Sequence, residues 1–129
     1  MTFTGEEGSP SVLFQNSLGP MDAEDGSGEN YPENLNRLMT GKEAPELWMT
    51  CIDCADSREE FAPYLQRIQP KNILAVHFDG LSPDIGSGLQ ESFQEPEWYP
   101  QSLEEFGAEG LYPNAYFQSY VIRKDVIEK

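Results

Sequence analysis

Residues Leu47 to Phe78 read LWMTCIDCADSREEFAPYLQRIQPKNILAVHF, and the succession of apolar runs and helix signals in this stretch sets the fold class. Leu47 to Ile52, introduced by Pro45, is a compact apolar run of the length of a buried strand. Ser57 and Glu60 then form an S-x-x-E capping box, in which hydroxyl and carboxylate satisfy amide groups left open at a helix start. Phe61, Tyr64, Leu65 and Ile68 follow at helical spacing, with Pro63 as an imperfection and Pro70 as the stop. Asn72 to Phe78 is a second, mostly apolar strand. Two strands joined by a helix of this length predict a parallel pair with a right-handed crossover, and hence an α/β fold.

Upstream, Leu35, Leu38 and Met39 recur at helical spacing after Pro32, and Gly41 stands where a left-handed helix cap belongs. Met1 to Asn30 is rich in Gly, Ser, Glu and Asp and shows no sustained period, which predicts a flexible acidic tail. Its apolar island, Val12, Leu13 and Phe14, reads either as a docking motif or as an incidental contact with the domain. Downstream, Pro83, Gly86, Gly88 and the acidic aromatic stretch with Trp98 and Tyr99 predict loops. Ser102 and Glu105 offer a capping box for a short helix ended by Gly107 or Gly110, and Ala115 to Ile122 predicts a last strand. The expected organisation is a flexible acidic tail over residues 1–30 and a small single α/β domain over 31–129, its short, at least partly parallel sheet flanked by helices.

A chain of 129 residues suits one hydrophobic core, and 38% hydrophobic residues supply enough apolar surface to fold it. With 23 acids against 8 Lys and Arg, the formal net charge is -15, which repels a phosphate backbone and argues against nucleic acid as a partner. Glu6, Glu7, Asp22, Glu24, Asp25 and Glu29 all precede the first basic residue, Arg37. No Lys or Arg lies between Lys71 and Arg123, where acids run from Asp79 to Glu109. Such runs read as a solvated face or as a surface shaped for a basic protein partner. No apolar run approaches the ~20 residues of a membrane span, and the start lacks the pattern of a secretion signal, so a cytoplasmic protein with no membrane contact is expected. Oligomeric state stays open.

The chemically pointed segment is Cys51-Ile52-Asp53-Cys54-Ala55-Asp56-Ser57-Arg58, at the expected strand-to-helix junction. Open parallel sheets place their ligands at such strand ends. Cys51 and Cys54 can pair only with each other, so no disulfide framework is expected. Leu47 to Arg58 resembles the first metal-site motif of the β-carbonic anhydrases, in which an apolar strand runs into Cys-x-Asp-Ser-Arg; Cys54, Asp56, Ser57 and Arg58 match it in place. The resemblance implies Cys54 as a zinc ligand and Asp56 with Arg58 as the catalytic pair that orients the site, the aspartate able to ligate zinc itself in a closed state. It extends more weakly to Asn36, Arg37 and Gly41 upstream and to Pro70 and its strand downstream.

The family takes its other zinc ligands from a later His-x-x-Cys, whereas no cysteine follows Cys54 and the one histidine, His77, precedes Phe78, Asp79 and Gly80 on the expected second strand. A substitute set of Cys51, Cys54, His77 and Asp79 has the right atom types for zinc. On a strand, however, side chains an odd number apart face opposite ways unless the chain turns between them. The two cysteines also read as buried structural thiols, or as a redox C-x-x-C pair whose thiolates Asp53 and Asp56 oppose. Arg58 and Asp56 read equally as a structural ion pair beside a helix start.

Three functions follow as expectations. The first is a non-catalytic β-carbonic anhydrase-like interaction or regulatory module, with no cofactor. The second is a zinc-dependent carbon dioxide hydratase with a substituted metal site, zinc-bound water supplying hydroxide. The third is an unrelated acidic protein that docks a basic partner. The incomplete ligand set weighs against catalysis.

Overall fold

The computed structural model describes residues 2–3, 9–15, 18, 31–52, 55, 57–76, 97–111, 119–124 and 126–128. Strand β1 (Thr2–Phe3) pairs antiparallel with β2 (Val12–Gln15), and β2 runs parallel to β3 (Leu47–Thr50). Strand β3 is parallel to β4 (Asn72–Ala75), and β4 to β5 (Glu109–Leu111), giving a five-stranded sheet in sequence order. Helices α1 (Tyr31–Met39), α2 (Arg58–Ile68) and α3 (Trp98–Phe106) lie between successive parallel strands. A separate hairpin joins β6 (Val121–Arg123) to β7 (Val126–Glu128). The expected α/β architecture is therefore present, with the predicted parallel crossover from Leu47 through α2 to Asn72 at its centre.

Strands taken in sequence order with right-handed crossovers stack their helices on one face of the sheet. The core agrees: Leu35 of α1, four residues of α2, and Tyr99 and Leu103 of α3 enter one cluster with Leu13, Trp48, Ile73 and Ala75 of the strands. Trp48 is its hub, stacked on Phe61 at 5.6 Å and on Tyr64 at 6.3 Å between ring centroids. Phe61 in turn meets Trp98 and Tyr99 of α3. No helix among the described residues is long and apolar enough to cross a membrane.

Local chemistry explains the helix ends. Ser57 sits in extended backbone and its hydroxyl accepts from the Glu60 N–H, which is half of the predicted capping box. Gly41 follows α1 at φ +71, a conformation costly for any residue with a Cβ. Gln69 closes α2 in the same left-handed region, its N–H donating to the Leu65 carbonyl, and Pro70 prevents continuation.

Four expectations are corrected. The apolar island Val12 to Phe14 is a parallel strand of the sheet rather than part of a tail, because its backbone pairs with Leu47 to Thr50 and Leu13 enters the core; the domain therefore begins well before residue 31. Trp98 and Tyr99 open a helix instead of lying in a loop, since their rings pack on Phe61. Ser102 is not a cap: it lies inside α3 and donates to the Trp98 carbonyl at 2.7 Å, while Gly107 at φ +68 ends the helix as expected. The last sheet strand is Glu109–Leu111; Val121 and Ile122 belong to the hairpin, Ser119 and Tyr120 precede it outside any strand, and residues 115–118 fall outside the described residues, as do the glycine loops from Gly80 to Gly88.

Candidate functional site

The carboxyl end of β3 carries the motif. Beyond Thr50, Cys51 and Ile52 are both buried, and the Val76 N–H donates to the Thr50 carbonyl, which prolongs the β3 and β4 pairing to this point. The chain then turns, with the Ala55 N–H donating to the Ile52 carbonyl at 3.0 Å. Ser57 starts α2 immediately afterwards.

Arg58, the first residue of α2, donates from Nη2 to Oε2 of Glu105 on α3, and both side chains are about half exposed. The stacking of Trp48, Phe61, Trp98 and Tyr99 holds the two helices side by side and so brings these groups together across 47 residues of sequence. Arg58 thus ties helix to helix at the surface. Its expected companion Asp56, and the expected ligands Cys54, His77 and Asp79, lie outside the described residues.

Of the expected metal set, only Cys51 is described, and it is buried at the strand end. A zinc centre takes three protein ligands with an open position, or four. The described residues gather no group of three His, Cys, Asp or Glu side chains able to hold a metal. Beside the carboxyl end of β2 a cavity of about 200 Å³ opens between Phe14, Gln15, Leu38 and Tyr64, apolar for the most part and without a titratable cluster.

No family model, curated protein or solved structure matches this chain.

Glu105 is the partner that the motif did not announce. Its sequence signal suggested a capping carboxylate for Ser102, and nothing local to Arg58 points to it. The pairing follows only from the packing of α2 on α3, through aromatic residues whose helical spacing Pro96 and Pro100 disguise.

Proposed function

We propose that this chain is a cytoplasmic, non-catalytic interaction module of β-carbonic anhydrase-like build, whose acidic surface docks a basic protein partner. The observation that carries this reading is the surface of the α2 and α3 pair. Glu59, Glu60, Glu104 and Glu105 are all exposed there, and Arg58, the motif's one described basic group, is engaged by Glu105. Beyond the Arg58–Glu105 pair, three exposed carboxylates leave a negative surface, and such a surface steers a positively charged partner toward it. The strand-to-helix junction, with its Ser57 cap, supports the family likeness in its described half.

The test has two arms. A labelled lysine-rich peptide titrated at low salt should bind the native chain, and should bind more weakly when Glu59, Glu60 and Glu104 are changed to Gln. Metal analysis beside stopped-flow carbon dioxide hydration should show neither stoichiometric zinc nor an enzymatic rate. Stoichiometric zinc with activity abolished by Cys54→Ser overturns the reading in favour of the hydratase, and peptide binding indifferent to the three Glu changes removes the docking surface.

A further inference from the structure

At the opposite, amino edge of the sheet lies a cavity of about 250 Å³. Its apolar wall is Leu13, Met39 at the end of α1, and Pro45 before β3. Its polar part comes from three separate places: Ser9 and Ser11 ahead of β2, Lys42 and the glutamates of the loop before β3, and Lys124 in the turn of the β6–β7 hairpin. The chain backbone fixes this junction, since the Ser11 carbonyl accepts from both Glu46 and Leu47 N–H groups.

Glu46 is buried and held by Lys71 at 3.0 Å, and Glu43 is approached by Lys124 at 3.8 Å. Lys42 has no ion-pair partner among the described residues. Among the described residues the lining holds two lysines, Lys42 and Lys124, and two glutamates, Glu43 and Glu46; Lys71 pairs with Glu46 from outside the lining and Lys124 approaches Glu43, which leaves Lys42 as the lining ammonium without an ion-pair partner. An ammonium beside hydroxyl donors and above an apolar wall suits one kind of ligand: a negative head with two acceptor oxygens, on a short apolar body. One ammonium without an ion-pair partner matches a singly charged carboxylate better than a doubly charged phosphate. The volume lies below the roughly 300–1,000 Å³ of ordinary ligand pockets, which confines the ligand to a small molecule.

We infer that this cavity binds a small monocarboxylate with an apolar tail, the carboxylate at Lys42 and the tail against Leu13 and Met39. This site is independent of the acidic docking surface, which lies on α2 and α3.

Octanoate is the probe, followed by the methyl resonances of Met39 and Leu13 in the full chain, with octanol and octylammonium as its neutral and cationic counterparts. Octanoate should move these methyls saturably. Lys42→Met, which keeps the apolar stem and removes the charge, should weaken octanoate roughly tenfold, the loss expected for one charge-assisted contact, while Lys42→Arg retains binding. The thermal midpoint of Lys42→Arg should equal that of the native chain, because the charge is kept and Lys42 takes no part in an ion pair among the described residues. Octanoate that leaves these methyls unmoved, that binds Lys42→Met as tightly as the native chain, or that is outcompeted by octylammonium overturns the assignment.

Discussion

Thr50 and Trp48 point into the core from the same strand, and the Thr50 Oγ1 and Trp48 Nε1 atoms are both buried with no hydrogen-bond partner among the described residues. A buried hydroxyl without a partner costs about 1–3 kcal/mol, whereas an apolar group of the same shape avoids that cost. Thr50→Val should therefore stabilise the fold by about 1 kcal/mol in urea denaturation. A loss of stability would show that the hydroxyl is satisfied, most simply by a buried water. Tyr120 gives a second residue-level expectation. Burial pushes its phenol above the ordinary tyrosine value, because the phenolate loses hydration in the folded chain. The sign follows from linkage: the unfolded chain releases this proton first, so the folded state is favoured below about pH 10 and loses that advantage as pH rises further. Stability measured between pH 8 and pH 11 should fall less steeply for Tyr120→Phe than for the native chain. Equal slopes would place the phenol in water.

Among the elements, β2 makes the sharpest demand. Leu13 is 3% exposed and lies in register with Trp48 and Ile73 across the sheet, so Leu13→Ala should cost about 2–5 kcal/mol, and a chain lacking the first 18 residues should fail to fold. A change below about 1 kcal/mol would detach β2 from the domain. The end of α2 offers the opposite test. Gln69 holds φ at +50 with a full side chain, and Gln69→Gly should raise stability by about 0.5–1 kcal/mol, read from the urea midpoint. The helix ends at Ser57, Gly41 and Gly107 were legible because a cap is a local event, written in one or two residues. The parallel crossover was legible because two apolar runs flank one amphipathic helix. Strand β2 was not, since three apolar residues among Gly, Ser and acids have no reason to be extended until β3 lies beside them. Strand β5, with Gly110 at its centre, has no apolar alternation to read. Of the candidate site, the junction and its Ser57 cap could be read from the motif, but the engagement of Arg58 by Glu105 could not, because it is made by tertiary packing.

For the molecule as a whole, the dominant physical fact is a formal net charge of -15 on one small domain. Among the carboxylates whose burial is described, Glu33, Glu43, Glu59, Glu60, Glu97, Glu104, Glu105 and Glu109 are exposed, and Glu46 is buried. Folding draws these charges together, while the unfolded chain spreads the same charges over a larger volume, so self-repulsion acts against the compact state. Salt shortens the reach of that repulsion, from a screening length of about 10 Å at 0.1 M to about 3 Å at 1 M. Exposed pairs such as Arg58 with Glu105 offset little of it, since each is worth about 0–1 kcal/mol and is itself screened. The thermal midpoint should therefore climb as sodium chloride is raised, the reverse of what a fold held by surface ion pairs would do. General effects of salt on apolar burial also raise a midpoint, and a charge-reduced variant separates the two causes. With Glu59, Glu60 and Glu104 changed to Gln, the midpoint at low salt should lie above that of the native chain, and its climb with salt should be shallower. Parallel salt curves for the two proteins would show that repulsion among these carboxylates does not limit stability, and that the acidic surface is tolerated without cost to the fold.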